Sequence, residues 1–234
     1  NGESYEALWI NRPNYSVTRA ADFLPQFAHK PANFPPGQGC RYCNCAYVLA
    51  GMMVEKASGM DYREFVRQHV FSPAGMAASG FFHMGDVNER VAEGCIPLEG
   101  ADGARRGWRR NIYSYPPIGT PDGGAYVTAP DLERFLRALL AGWLLPPEET
   151  RLFFTPQVDY KPHDGWQQRF GLGLWFAVLN DGQVQFCEKE GQNAGVSAVL
   201  RYYPESDVAV VLLSNLEDGV WEPVWKLHDT VIGD

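Results

Sequence analysis

The last third of this chain constrains the fold more than any other stretch. "FGLGLWFAVL" (170–179), "QVQFCEKEG" (183–191), "SAVLRYY" (197–203) and "DVAVVLLSN" (207–215) are apolar runs rich in β-branched and aromatic residues. Only a few residues separate each from the next, with turn signals such as Asn180-Asp181-Gly182 between them. Parallel neighbours need a crossover of a dozen or more residues, so strands joined this closely pair antiparallel. "DGVWEPVWKLHDTVI" then carries helical spacing and reads as an amphipathic helix that closes the chain over about 219–233.

Upstream of the strands the pattern is helical. In "TAPDLERFLRALLAGW" Thr128 can cap the helix, Pro130 suits the first turn, Asp131 completes a capping box and leucines recur on one face. A short helix at "PPEETRLFF" follows. Residues Ala46 to Ser58 repeat at helical spacing and stop at Gly59, and "DYREFVRQHV" forms another helix before Pro73. The proline-rich residues 1–39 admit one short helix at 17–28 with Ser16 as its cap, and short strands fit 80–83 and 90–96. The expected fold class is α+β, an antiparallel sheet covered by helices, in one domain spanning 1–234. Its helical part covers about 40–155 and its strands about 168–215.

Size and charge narrow the function. A chain of 234 residues can bury roughly 70% of the surface its unfolded form exposes, so it needs no disulfide framework. A net charge of -8 and a pI near 5.2 argue against nucleic acid or anionic membrane as a partner. No window offers the roughly 20 apolar residues of a membrane span. No phosphate-binding glycine loop and no Gly-X-Ser-X-Gly elbow occurs. The sequon Asn14-Tyr15-Ser16 is an isolated match and carries little weight, and nothing here indicates a compartment.

Three of the five cysteines crowd into Cys40-Arg41-Tyr42-Cys43-Asn44-Cys45. Metal binding, redox chemistry and simple packing are open readings, as is a fourth in which Tyr42 and Asn44 carry the chemistry. A zinc site needs four ligands, usually as two pairs. Cys95 and Cys187 are solitary, and His29, His69, His83, His163 and His228 are scattered, each read as a surface or capping residue. A redox Cys-X-X-Cys would have to open a helix in a thioredoxin-like setting, which is absent. No metal or cofactor is expected, and the cysteines read as small apolar fillers beside a helix start.

Tyr42-X-Asn44 and Lys189-X-Gly191 are each weak signals, but their order and settings together are specific. "FPPGQGCRYCNCAYVLAGMMVEKASGMDYREFV", "VFSPAGMAASGFF", "TPDGGAYVTAPDLERFLRALLAG", "RFGLGLWF", "KEGQNAGVSAVLRYYPE" and "VAVVLLSN" resemble successive segments of the serine β-lactamase and penicillin-binding superfamily. The likeness is to its class C β-lactamase, D-peptidase and esterase branch, and it runs from about Phe34 to Asn215. Members acylate a serine from a Ser-X-X-Lys motif and pass the acyl group to water or another acceptor. The resemblance implies that Tyr42 is a proton shuttle, and that Asn44 bonds the substrate's acyl-side amide or orients the lysine. Lys189 then supplies positive charge, Gly191 lets substrate approach the backbone, and the Gln192 N–H is one oxyanion donor. Against these roles stand a core tyrosine at 42 and a solvated strand lysine at 189.

The chain departs from the family pattern in three ways, the smallest being Cys43 in place of the usual serine between Tyr42 and Asn44. Glu190 stands where threonine is common, which disfavours a β-lactam carboxylate and tilts the reading towards an esterase or amidase. No serine here is followed by Lys three residues on: Ser16 precedes Val-Thr-Arg, Ser58 precedes Gly-Met-Asp and Ser197 precedes Ala-Val-Leu. The resemblance therefore implies a β-lactamase-like fold lacking its N-terminal part, inactive alone, acting on a small ester, amide or peptide with a separate nucleophile segment. Its own N-terminal fragment or a homo-oligomer is the expected partner, covering otherwise exposed strand edges. The alternative is a non-catalytic ligand-binding domain on the same fold.

Overall fold

The structure is a computed structural model that describes residues 12–233. The chain divides into two compact units, the first ending at Val127 and the second beginning at Thr128. The helices from Thr128 to Phe153 thus belong with the strands, although the sequence groups them with the helices before them.

In the first unit a 3-10 turn at Ala20–Phe23 runs into α1 (Leu24–Phe27), so the helix expected over 17–28 is short and irregular. Ser16 does not cap it: Asp22 reaches back to accept from the N–H groups of Thr18 (3.0 Å) and Arg19 (2.9 Å). Asn14 of the sequon is only 5% exposed, its Nδ2 donating to the carbonyls of Ile112 (2.9 Å) and Tyr115 (2.7 Å). α2 spans Asn44–Ser58 and ends at Gly59, whose φ of 71° is the left-handed conformation a C-terminal cap needs. Val17, Ala20, Phe23 and Val48 form a small core beneath it.

α3 (Tyr62–Val66) is capped by Asp61, which accepts from Arg63 N–H at 2.9 Å, and it widens into a π-turn at Arg67–Phe71. Arg63 then ties the unit together, its Nε donating to the Gly119 carbonyl (2.7 Å) and its Nη2 to that of Thr18 (2.6 Å). A hairpin of β1 (Cys95–Glu99) and β2 (Arg105–Arg110) follows. The strand expected at 80–83 is a single bridge, Gly80 to Tyr126, and the one expected at 90–96 begins only at Cys95.

The second unit is an antiparallel sheet with helices on both faces. Its strands are β3 (Val158–Pro162), β4 (Trp166–Phe170), β5 (Trp175–Leu179), β6 (Val184–Asn193), β7 (Val196–Tyr203) and β8 (Val208–Ser214), neighbours in that order. Two strands, β3 and β4, are more than the sequence shows. β3 is exposed along its length and ends at Pro162, so it has no apolar alternation to betray it and suits only a sheet edge. α6 (Trp221–Ile232) covers one face, where Trp175, Ala177, Phe186, Val199, Tyr203, Val210, Val220 and Val224 make the main core. On the other face Leu174, Phe176, Val178 and Cys187 pack against Phe153 and Phe154, at the end of α5 (Pro147–Phe153). α4 (Ala129–Leu140) starts at Thr128, whose Oγ1 accepts from Asp131 N–H at 3.2 Å.

Candidate active site

Tyr42 and Asn44 sit at the start of α2. Cys43 is extended (φ -152°, ψ 117°) and occupies the cap position without a capping side chain, so Asn44 is the first helical residue. Tyr42 Oη donates to Asn44 Oδ1 at 2.9 Å, and the Tyr47 ring lies 5.7 Å from that of Tyr42. Tyr42 is 40% exposed, unlike a core tyrosine. A phenol held two residues ahead of a helix N-terminus stands at its positive end. Cys40, Cys43 and Cys45 are half-buried around it and form no disulfide. Among the described residues no three His, Cys, Asp or Glu gather as metal ligands.

Lys189, Gly191 and Gln192 lie on β6, where the sheet changes character. β5 pairs with β6 only as far as Trp175 opposite Glu188, whereas β7 continues alongside to Asn193. Lys189 to Asn193 therefore overhang β5 and, among the described strands, pair with β7 alone. Along such an overhang alternate backbone N–H groups turn away from β7, with no strand of the described residues to pair with them. Glu190, Gly191 and Gln192 are exposed, and a Cβ placed on Gly191 would meet no atom within 4 Å. An extended acyl substrate or an oxyanion can reach this backbone edge. Lys189 is half-buried, and burial lowers its pKa, opposed by the neighbouring Glu190 carboxylate.

Strand alternation separates the motif's members. Cys187, Lys189 and Gly191 point to the face that Phe153 and Phe154 cover, while Phe186, Glu188 and Glu190 point to the α6 face. Glu190 thus shares a face with Glu188, away from Lys189. That weakens the expected repulsion of a substrate carboxylate placed beside the lysine.

The sequence reading passed over the residues on that α6 face. Glu188 and Arg201 are paired across β6 and β7, with 2% and 1% of their side chains exposed, and Arg201 Nε donates to Glu188 Oε2 at 2.5 Å. His228, read as a surface or capping residue, is buried with its Nδ1 3.0 Å from Tyr203 Oη. A signal was available: opposite charges at directly facing positions inside two apolar strand runs.

Comparison with known proteins shows the family. The family model for Beta-lactamase matches residues 3–226. A penicillin-binding protein of Bacillus subtilis (strain 168) is 40% identical over 201 residues, which is 79% of this chain and 42% of that protein. The human putative beta-lactamase-like 1 is 32% identical over 76% of this chain and 34% of its own length. The crystal structure of a penicillin-binding protein from Bacillus halodurans superposes with a TM-score of 0.88 at 36% identity, covering 97% of this chain and 67% of that one. The chain thus spans less than half the length of these curated relatives. The α+β fold, with antiparallel strands and covering helices, is that of β-lactamases and penicillin-binding proteins. With the family model matching residues 3–226, most of its length, the chain belongs to the Beta-lactamase family.

Proposed function

We propose that this chain supplies the Tyr-X-Asn and Lys-X-Gly elements of a serine hydrolase that works through an acyl-enzyme on an ester or amide. The nucleophile comes from a segment outside these 234 residues, since no Ser-X-X-Lys occurs among them. The observation that carries the reading is the overhang of β6, whose exposed stretch, Glu190 to Gln192, lies just past Lys189.

In this reading the serine Oγ attacks the acyl carbonyl carbon, and its proton passes to the Tyr42 oxygen. Tyr42 then hands that proton to the departing alcohol or amine as the old bond breaks, leaving the acyl group on the serine. A phenol titrates near 10, so Tyr42 depends on neighbouring positive charge to act as a base near neutrality. Asn44 Oδ1 accepts from the Tyr42 hydroxyl at 2.9 Å, and Lys189 carries its positive charge at the root of the β6 overhang. The Gln192 N–H donates to the carbonyl oxygen as it gains charge. Water releases the acyl group in the second half. Among the curated relatives is a D-aminopeptidase of Cereibacter sphaeroides, 31% identical over 36% of this chain, which favours amides of D-amino acids among the trial substrates. The outer edge of β8 pairs with no strand among the described residues, in keeping with a companion segment or second copy beside it.

The same absence of Ser-X-X-Lys supports a second reading, a ligand-binding domain without turnover. Denaturing intact-mass spectrometry, before and after incubation with an activated ester, a D-amino-acid amide and a penicillin, separates the two. A stoichiometric acyl adduct on a companion carrying Ser-X-X-Lys, lost in Tyr42→Phe, is the expected result. A purified species that stays unmodified with every reagent overturns the catalytic reading and leaves the binding one.

A further inference from the structure

Immediately before Lys189, β6 carries a buried ion pair that the chemistry above does not use. The Arg201 guanidinium bonded to Glu188 also lies 4.0 Å from the Phe186 ring and 4.4 Å from the Trp225 ring of α6. Its Nη1 approaches Tyr203 Oη at 3.5 Å, and Tyr203 Oη meets His228 Nδ1 at 3.0 Å. A polar chain thus runs from β6 through β7 into α6.

Stability does not account for such a pair. Taking two charges out of water is costly, and apolar residues of similar volume commonly replace a buried pair without loss. What the pair provides and apolar packing does not is a fixed register. A slip of one residue turns every side chain of a strand to the opposite face, which would carry Lys189 from one side of the sheet to the other. The location is equally specific, because Glu188 is the last residue of β6 paired on both sides, opposite Trp175 and Arg201. Beyond it, among the described strands, β7 alone pairs with β6.

We propose that Glu188, acting through Arg201, is a positioning residue for Lys189, anchoring the root of the overhanging segment on β7 and α6. The inference rests on the reading of Lys189 as a site residue. The titratable groups around Glu188 are Glu190 on its own strand, Arg201 and Tyr203 on β7, and His228 and Asp229 on α6. β5 presents Trp175, whose buried indole N–H has no hydrogen-bond partner. Burial raises the Glu188 pKa to about 7, Arg201 opposing the rise and Glu190 adding to it. The anchor is therefore charged above neutrality and loses its counter-charge below it, when Arg201 is left alone between two rings.

The test reads Lys189 directly and needs no turnover. The purified full chain, with any companion it carries, is labelled with acetic anhydride between pH 6 and 8. Peptide mass spectrometry then gives the labelling of Lys189 relative to the exposed Lys161. In the wild type the ratio is expected to fall at least about threefold as pH rises through 7. Glu188→Gln keeps the hydrogen-bond acceptor without the charge, and should hold the ratio at its acid-side value throughout. The paired change Glu188→Leu with Arg201→Met preserves apolar packing and should do the same, so the test does not depend on one variant folding. An identical pH step in the wild type and Glu188→Gln, or no step in the wild type, overturns the proposal even if the variants melt earlier. If no serine is ever acylated while the step persists, the hydrolase reading fails and the anchoring stands. If acylation occurs without the step, the reverse holds.

Discussion

Gly51 lies in the middle of α2, where replacing glycine by alanine ordinarily stabilises a helix by about 0.5–1 kcal/mol. Here the opposite sign is expected. A Cβ on Gly51 would stand 2.1 Å from Pro121 Cγ and 2.4 Å from Pro121 Cβ, with Tyr62 Cδ2 at 3.3 Å on another side. A pyrrolidine ring is fastened to its own backbone and cannot swing away. The loop bearing it is also pinned: Thr120 and Gly123 exchange backbone hydrogen bonds of 2.8 and 2.9 Å, and Arg63 Nε holds the Gly119 carbonyl at 2.7 Å. Gly119 and Gly124 touch so closely that a Cβ on the former would lie 2.4 Å from the carbonyl oxygen of the latter. Forcing a methyl into a packed site costs about 1–3 kcal/mol, and neither wall here yields. Gly51→Ala should therefore lose about 1–2 kcal/mol net, or about 2–8 °C in Tm. Urea unfolding followed by circular dichroism measures it. Pro121→Gly removes the ring, and the double variant should recover part of the loss as a coupling energy of about 1–3 kcal/mol. Gly51→Ala at or above wild-type stability, or purely additive effects in the pair, would refute the close contact between α2 and this loop.

Asp61→Ala removes the acceptor that caps α3 at the N–H groups of Arg63 (2.9 Å) and Glu64 (3.4 Å), and should cost about 1 kcal/mol in urea unfolding. Phe186, 1% exposed among the rings of Trp175 (5.4 Å), His228 (5.4 Å) and Tyr203 (5.8 Å), should lose about 3–5 kcal/mol on replacement by alanine, whereas the exposed Leu172 should lose under about 0.5 kcal/mol. Glu188 gives stability a pH dependence of definite sign. Its pKa rises from 4.5 unfolded to about 7 folded, so the native state holds that proton more tightly. The stability it contributes is complete below pH 4.5 and is lost as pH climbs through 7, about 3 kcal/mol in all. Comparing wild type with Glu188→Gln in urea at pH 5 and pH 8 isolates this term, and an equal difference at both pH values would contradict it. Charging Glu188 thus costs stability while it tightens the register beside Lys189.

Legibility in the sequence followed the range of the interactions involved. Thr128 ahead of an apolar helical repeat, Gly59 at the end of another and Asn180-Asp181-Gly182 between strands act within a few residues, and each lies where local chemistry put it. The four apolar runs from 170 to 215 likewise dictated an antiparallel sheet, because the short turns admit nothing else. Tyr42-X-Asn44 and Lys189-X-Gly191 were visible as spacing alone. β3 was not, since an exposed edge strand needs no apolar alternation and is specified by the neighbour it joins. His228 and the Glu188–Arg201 pair were unreadable for a related reason: their burial comes from α6 lying over the sheet, a contact between segments far apart in the chain. Residue type and order therefore determined the helices, the strand runs and the motifs, whose causes are short-ranged. Only the tertiary structure decided where β5 stops beside β6, and so which side of Lys189 is anchored and which edge is left open, because a strand's end is set by its partner and not by its own residues.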